Sequence, residues 1–471
     1  MSVSLLGQRN VLYVSLQGSL REIRPSRRSQ LVRPSLPSHQ LLWQSWFGFV
    51  QPAAIGGRPC RAPIWAAGTA SIGMNTRKVV SVVSREATLR RKIRRQLRAL
   101  GFRRSGEGTL EAAGNGKDAI RAVHSSQRSE RIATSASFIA SRAPQLIRHL
   151  ASGREVVPAA ITPVLERVAA DTWQADLFRL ASLTWSVPVS NGFGRRLRYL
   201  VWDSHNEKLI GLIAIGDPVF NLSVRDNLIG WSAHDRSARL VNMMDAYVLG
   251  AVPPYSTLLG GKMVACLVRS REIYDDFART YGGTVGIISG EEKKARLLAV
   301  TTTSSMGRSS VYNRLKLNSI PYFTSVGYTG GWGHFHVPDS LFLELRDYLR
   351  SIGHHYADLH RFGEGPNWRL RTTRAALKAL GLSEDMLRHG IQREVFICNL
   401  AANATSILRT GRGRPDLSSL LAAREVGRLA VERWMLLRSE RRPEYRSWMP
   451  DELLGLLGNA TMSARLRTEW R

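Results

Sequence analysis

Residues 195–217 read RRLRYLVWDSHNEKLIGLIAIGD, and this stretch decides the fold class. Leu197–Trp202 alternates and is rich in β-favouring side chains, and Lys208–Ile215 is a second apolar run. Between them Asp203, Ser204, His205, Asn206 and Glu207 form a polar turn. Two short apolar runs separated by a few turn-forming residues predict a β-hairpin. Gly216-Asp217-Pro218 ends its second strand.

Downstream, the pattern predicts a helix over Arg239–Met244, a strand over Asp245–Val252 ending at Pro253-Pro254, and helices over Met263–Val268 and Glu272–Tyr281. Arg296–Thr303 and Tyr322–Tyr328 read as strands, with a helix starting near Val311 between them. His334–Val337 reads as extended and Asp339–Arg350 as a helix. Upstream, 163–186 reads as helical, and Arg104–Ala143 as loops and short helices. Interleaved strands and helices with a hairpin predict an α/β or α+β fold whose sheet is mixed, not purely parallel.

The chain has 471 residues, 44% hydrophobic and 22% charged, an ordinary globular balance with room for two or three domains. No apolar run approaches the ~18 residues of a membrane-spanning helix, which excludes a transmembrane function and a membrane partner. Cys60, Cys266 and Cys398 stand far apart with no Cys-x-x-Cys pair. That excludes a disulfide framework and a thiolate zinc cluster, and predicts a reducing, cytoplasmic setting.

Charge is the departure from the ordinary: 67 Lys+Arg, 58 of them Arg, face 37 Asp+Glu, a net charge of +30. Such an excess attracts polyanions, nucleic acid first among them. It is unevenly spread, with +12 over residues 74–150, +3 over 151–360 and +8 over 361–471. The partition predicts a central mixed domain at 151–360 between a basic helical N-terminal region at 74–150 and a basic helical C-terminal region at 361–471. Residues 1–73 hold eight Arg and one acid, Glu22. They read either as a transit peptide or as a stretch upstream of a true start at Met74, and the second is expected.

The strongest basic element is REATLRRKIRRQLRAL, residues 85–100. Leu89, Ile93, Leu97 and Leu100 recur at helical spacing, with Ser84 as N-cap and Gly101 as stop. Arg90, Arg91, Lys92, Arg94, Arg95 and Arg98 fill most of the remaining circumference and are the expected nucleic-acid contacts. The alternative is a solvated face docked by its leucine stripe. Arg369–Leu387 reads as helix, Gly381-Leu382-Ser383 turn and short helix, an arrangement that sets Arg369, Arg371 and Arg374 against phosphates. Helical hairpins of this kind also occur in bundles that bind no DNA.

Three further clusters carry chemistry. Gly307, Arg308, Ser309 and Ser310 lie between a predicted strand and a predicted helix, where free N–H groups and an arginine suit a phosphate; the alternative is a capped helix. Asp217, Arg225, Asp226 and Asp235 fall close together after a strand. Paired carboxylates suit Mg²⁺ and phosphodiester chemistry, and are the catalytic candidates if the chain is an enzyme; salt bridges fixing a turn-rich segment are the alternative. His334, His336, His354, His355 and His360 have no carboxylate or cysteine at ligand spacing, so no metal site is expected.

The strings GDPVFNLSVRDNLIGW (216–231), DAYVLGAVPPYSTLLGGKMVACL (245–267), TTTSSMGRSSVYNRL (301–315), SVGYTGGWGHFHVP (325–338) and LRHGIQREVF (387–396) resemble the Druantia DruA family over about 195–400. The resemblance implies a part in bacterial defence against phage or other mobile DNA, with other proteins of the system as partners. Related domains occur beside or within transposase-like proteins. It supplies no active site. The strand at Tyr247–Leu249 and the Gly260-Gly261 helix are also similar to the acetyl-CoA-binding unit of the GCN5-type acetyltransferase fold. Thr257 stands where that unit has Gln or Arg, and the second glycine is displaced, so the likeness implies a related sheet without the cofactor. The expectation is a defence protein that binds nucleic acid, DNA rather than RNA, and needs no cofactor. An enzyme acting on nucleic acid or transferring an acyl group is the alternative.

Overall fold

The hairpin of residues 196–216 supplies the second and third strands of a seven-stranded mixed sheet in the computed structural model. The structure describes residues 84–104, 110–111, 114, 116–285, 290, 292–358 and 366–458, all within one compact unit, Val80–Arg471. The expectation for residues 1–73 lies outside the described residues. The strands are β1 (Pro163–Arg167), β2 (Arg196–Asp203), β3 (Lys208–Gly216), β4 (Met243–Ala251), β5 (Ala299–Thr303), β6 (Thr324–Tyr328) and β7 (Glu394–Asn399). Side by side they run β1-β2-β3-β4-β5-β7-β6, antiparallel throughout except for β4 and β5.

Leu209, Ile210, Leu212, Ile213, Ala214 and Ile215 of β3 have no exposed surface, which is why this strand reads as a continuous apolar run. Ile213 and Ile215 join Leu197, Tyr199 and Val201 of β2 on one face, against α7 (Gly260–Leu267), α8 (Arg271–Tyr281) and α12 (Ala423–Ala430). Leu212, Ala214 and Leu200 face the other way, onto α3 (Ala136–Leu146) and α4 (Trp173–Leu183). A separate core gathers α1 (Arg85–Ala99), α9 (Asp339–Ser351) and α10 (Pro366–Ala379) around Leu89, Ile93, Leu97, Leu345 and Leu377.

Several expected elements differ. Residues 163–167 form the edge strand β1, where Pro163, which has no N–H to donate, is tolerated. Residues 117–134 make one 18-residue helix, α2; only Ile120, Val123 and His124 are buried, a stripe too narrow to stand out among Ser and Arg. The helix expected over Arg239–Met244 ends at Arg239 as α6 (Ala233–Arg239), and β4 begins at Met243. His334–Val337 is a turn closed by the Val337 N–H donating to the His334 carbonyl at 3.0 Å. No helix starts at Val311: residues 310–314 are a turn in which Arg314 takes φ +64°. Among the described residues, no helix is long and apolar enough to cross a membrane.

Candidate nucleic-acid interface

α1 is built as its pattern requires. Ala87 N–H donates to the Ser84 hydroxyl at 3.2 Å, capping the start. At the end, Gly101 sits at φ +79°, and the N–H groups of Phe102 and Gly101 donate to the carbonyls of Leu97 and Arg98, a Schellman closure. Leu89, Ile93 and Leu97 are buried against α9 and α10, and Lys92 Nζ lies 2.6 Å from Glu344 Oε2 on α9. Lys92, expected among the nucleic-acid contacts, is therefore part of the helix's anchorage.

The remaining cations face outward. Arg90, Arg91, Arg94, Arg95 and Arg98 are exposed, and none has an ion pair among the described residues. They form two rows of helical i, i+4 neighbours, and the Arg90–Arg98 row is about 12 Å long at 1.5 Å per residue. Arg90 lies beside the Gly381 turn that ends α10. There the predicted helix–turn–short helix is present, with a 3₁₀ turn over Glu384–Leu387. Its arginines are unequal: Arg369 pairs with Asp339 at 2.5 Å and Arg374 with Glu384 at 2.9 Å, whereas Arg371 is exposed without an acid partner among the described residues.

The structure does not bring Asp217, Asp226 and Asp235 to one point. Asp217 accepts from Arg195 Nε at 2.7 Å and from the Arg195 N–H at 3.0 Å. Asp226, on α5 (Ser223–Ile229), accepts from Arg225 Nε at 2.8 Å and from Arg236 Nη1 at 3.2 Å. Arg225 is fully buried and also donates to the Val219 and Phe220 carbonyls at 2.8 Å; burial pulls its pKa below the ordinary arginine value. Asp235 forms a capping box with Ser232 at the start of α6. Asp217 thus ties the open end of the hairpin, and Asp226 and Asp235 each hold a local turn or helix end. Among the described residues no three His, Cys, Asp or Glu side chains gather as metal ligands.

The loop at Gly307–Ser310 has a partner that its local sequence does not reveal. Ser309 N–H donates to Glu394 Oε2 at 3.0 Å, and Asn313 and Ser325 also donate to the same buried carboxylate. The Ser309 hydroxyl accepts from the N–H groups of Val311 and Tyr312, both at 3.1 Å. These groups are those on which phosphate binding at a helix start rested; only Arg308 and Ser310 remain exposed.

A polar residue that the sequence reading passed over is Asp245, in β4 at the last pair of the parallel β4/β5 ladder. Thr301 Oγ1 donates to its Oδ1 at 2.7 Å. Burial pushes its pKa up to about 6, although the Thr301 hydrogen bond and the Arg225 charge pull the other way. Its one local signal is a carboxylate in an otherwise apolar strand.

The sequence profile of the family described as Druantia protein DruA matches residues 114–410. The chain is 66% identical over 384 residues to a protein named "Druantia protein DruA" from Escherichia coli (strain UMEA 4076-1), covering 82% of this chain and 95% of that one. No solved structure matches. Profile and relative together span the sheet, the α9–α10 core and the polar sites above, and the chain belongs to the DruA family of Druantia anti-phage defence proteins.

Proposed function

We propose that this chain is a nucleic-acid-binding component of its defence system, docking DNA phosphates on the arginine face of α1 and acting with the system's other proteins. The observation that carries the reading is that five exposed arginines, none in an ion pair among the described residues, share one helix whose opposite side is anchored in a core. Guanidinium groups on a rigid element suit phosphate contacts, which set affinity and register without reading sequence. Replacing Arg90, Arg91, Arg94 and Arg95 together by Gln in the full chain is expected to weaken duplex DNA binding at least tenfold. Unchanged affinity in that variant would remove α1 from the interface.

An acyltransferase-like enzyme is the second reading, and one observation favours it. β4 and β5, the sheet's parallel pair, are laddered only over Met243–Asp245 with Ala299–Thr301, so among the described residues β4 runs on to Ala251 without a ladder partner on that side, which leaves room for a ligand between the two strands. Asp245 would be the proton acceptor. The seat at the start of α7 is occupied by its own chain, since Gly260 N–H donates to the Tyr255 carbonyl at 2.8 Å. Acetyl-CoA titrated into the protein supports this reading by a saturable heat that Asp245→Asn leaves in place while transfer is lost; no heat removes it.

A further inference from the structure

At the end of the sheet where β1 finishes and β2 begins, a cavity of about 600 Å³ opens. Arg167 closes β1, Arg196 and Arg198 lie on β2, Tyr247 comes from β4 and Tyr281 from the last turn of α8. Arg196 and Arg198 stand two apart on a strand and so share a face. Arg167 ends β1 paired with Tyr199, so its side chain leaves the sheet on the face opposite to Arg196 and Arg198, toward α8, and it borders the cavity only at the strand end.

Among the described residues, no Asp or Glu lines this cavity. The three guanidiniums are lightly committed: Arg167 donates to the Thr280 hydroxyl at 2.8 Å, Arg196 reaches the Asn191 carbonyl at 3.5 Å, and Arg198 lies 5.8 Å from the Phe178 ring. None is in an ion pair among the described residues. The aromatic wall is fixed. Tyr281 is held from both sides, its hydroxyl accepting from the Arg196 N–H at 2.9 Å and donating to the Arg196 carbonyl at 3.0 Å. The Tyr247 hydroxyl is buried beside Gly192 and does not open onto the cavity, so this residue offers its ring.

We propose that this cavity binds a nucleoside phosphate, the phosphate on Arg196 and Arg198 and the base along Tyr247 and Tyr281. Arg196 and Arg198, like charges on one face of β2, repel each other until an anion enters, and arginine forks match phosphate oxygens. The volume falls in the range of small-molecule sites, far above the needs of a bare phosphate. This site shares no residue with α1, so it stands or falls separately from the reading of that helix.

Calorimetry on the full chain tests it with adenosine 5′-monophosphate and with inorganic phosphate as probes. The expected result is saturable nucleotide binding, at least tenfold tighter than phosphate, that Arg196→Gln with Arg198→Gln weakens at least tenfold. The variant with four neutralised α1 arginines should keep full nucleotide affinity. Should the double variant melt lower, Arg198→Gln alone, which removes only a ring contact, is expected to show a severalfold loss at an unchanged Tm. A 5′-phosphorylated oligonucleotide that displaces the nucleotide marks the natural ligand as a strand end, and one that does not marks it as a free nucleotide. No saturable nucleotide binding, equal affinity for phosphate, or affinity indifferent to these arginines overturns the proposal.

Discussion

Arg225 and Asp226 are adjacent in sequence and buried together, and their burial sets what substitution there must do. Asp226→Ala leaves a guanidinium with no exposed surface beside the gap, a loss of about 3–5 kcal/mol for a buried pair broken on one side. The expected outcome is a clear fall in the denaturant midpoint; a normal midpoint with a lost activity would instead make Asp226 a reacting group. Asp245 is the opposite case. Its folded pKa of about 6 lies above the 3.8 of a free aspartate, so the contribution of its protonated form is complete below pH 3.8 and is lost as pH rises through 6. Asp245→Asn is therefore expected to stabilise the protein at pH 7 by up to about 2 kcal/mol, with the difference closing toward pH 4. A variant less stable than the parent at pH 7 would contradict the burial argument.

For the element α1, anchorage and charge separate cleanly. Ile93 is buried in the α1–α9–α10 core, and Ile93→Ala should lower stability by about 2–5 kcal/mol. Neutralising Arg90, Arg91, Arg94 and Arg95 should leave the melting temperature unchanged or raise it, because the side chains are exposed and repel one another. Thermal melts of the two variants check both; a destabilised arginine variant would mean the charges have folding partners. The helix was legible in its sequence because a leucine stripe, a serine cap and a glycine stop agree with one another. The loop at 307–310 was not, because Glu394, which accepts from Ser309, is 85 residues away and nothing local announces it. The same holds for the basic cavity: Arg196 and Arg198 alternate visibly on β2, but Arg167, Tyr247 and Tyr281 join them only through the fold.

At the scale of the molecule, the hairpin and the mixed sheet follow from period-two and continuous apolar runs, whereas the strand order depends on pairings far apart in sequence. β7, at 394–399, inserts between β5 and β6, a placement no periodicity encodes. The helical core carries a further consequence. His124, His334 and His336 sit at pKa values of about 4 and His389 at about 3, against 6.5 for a free imidazole, with burial the largest cause in each. Arg393 lies 3.2 Å from His124 Nε2, and the rings of His336 and His389 are 6.0 Å apart, so protonating one disfavours the next. The folded state holds these rings neutral. Stability is complete above about pH 6.5 and is lost as pH falls toward 4, by several kcal/mol in all. His336→Gln, which keeps a donor for the Met386 carbonyl, should make that fall shallower; an unchanged slope of stability against pH would contradict the assignment.

The proposed function rests on the arginine face of α1 docking DNA phosphates. The most direct measurement is the affinity of the full chain for duplex DNA as a function of salt. Each phosphate neutralised contributes about −0.9 to the slope of log K against log salt, so five arginines predict a slope of up to about −4.5, reduced in magnitude by up to about 3.6 when Arg90, Arg91, Arg94 and Arg95 are Gln. A slope near zero would contradict the reading and assign the basic surface to acidic protein partners, and a steep slope that the four substitutions leave unchanged would remove α1 from the interface.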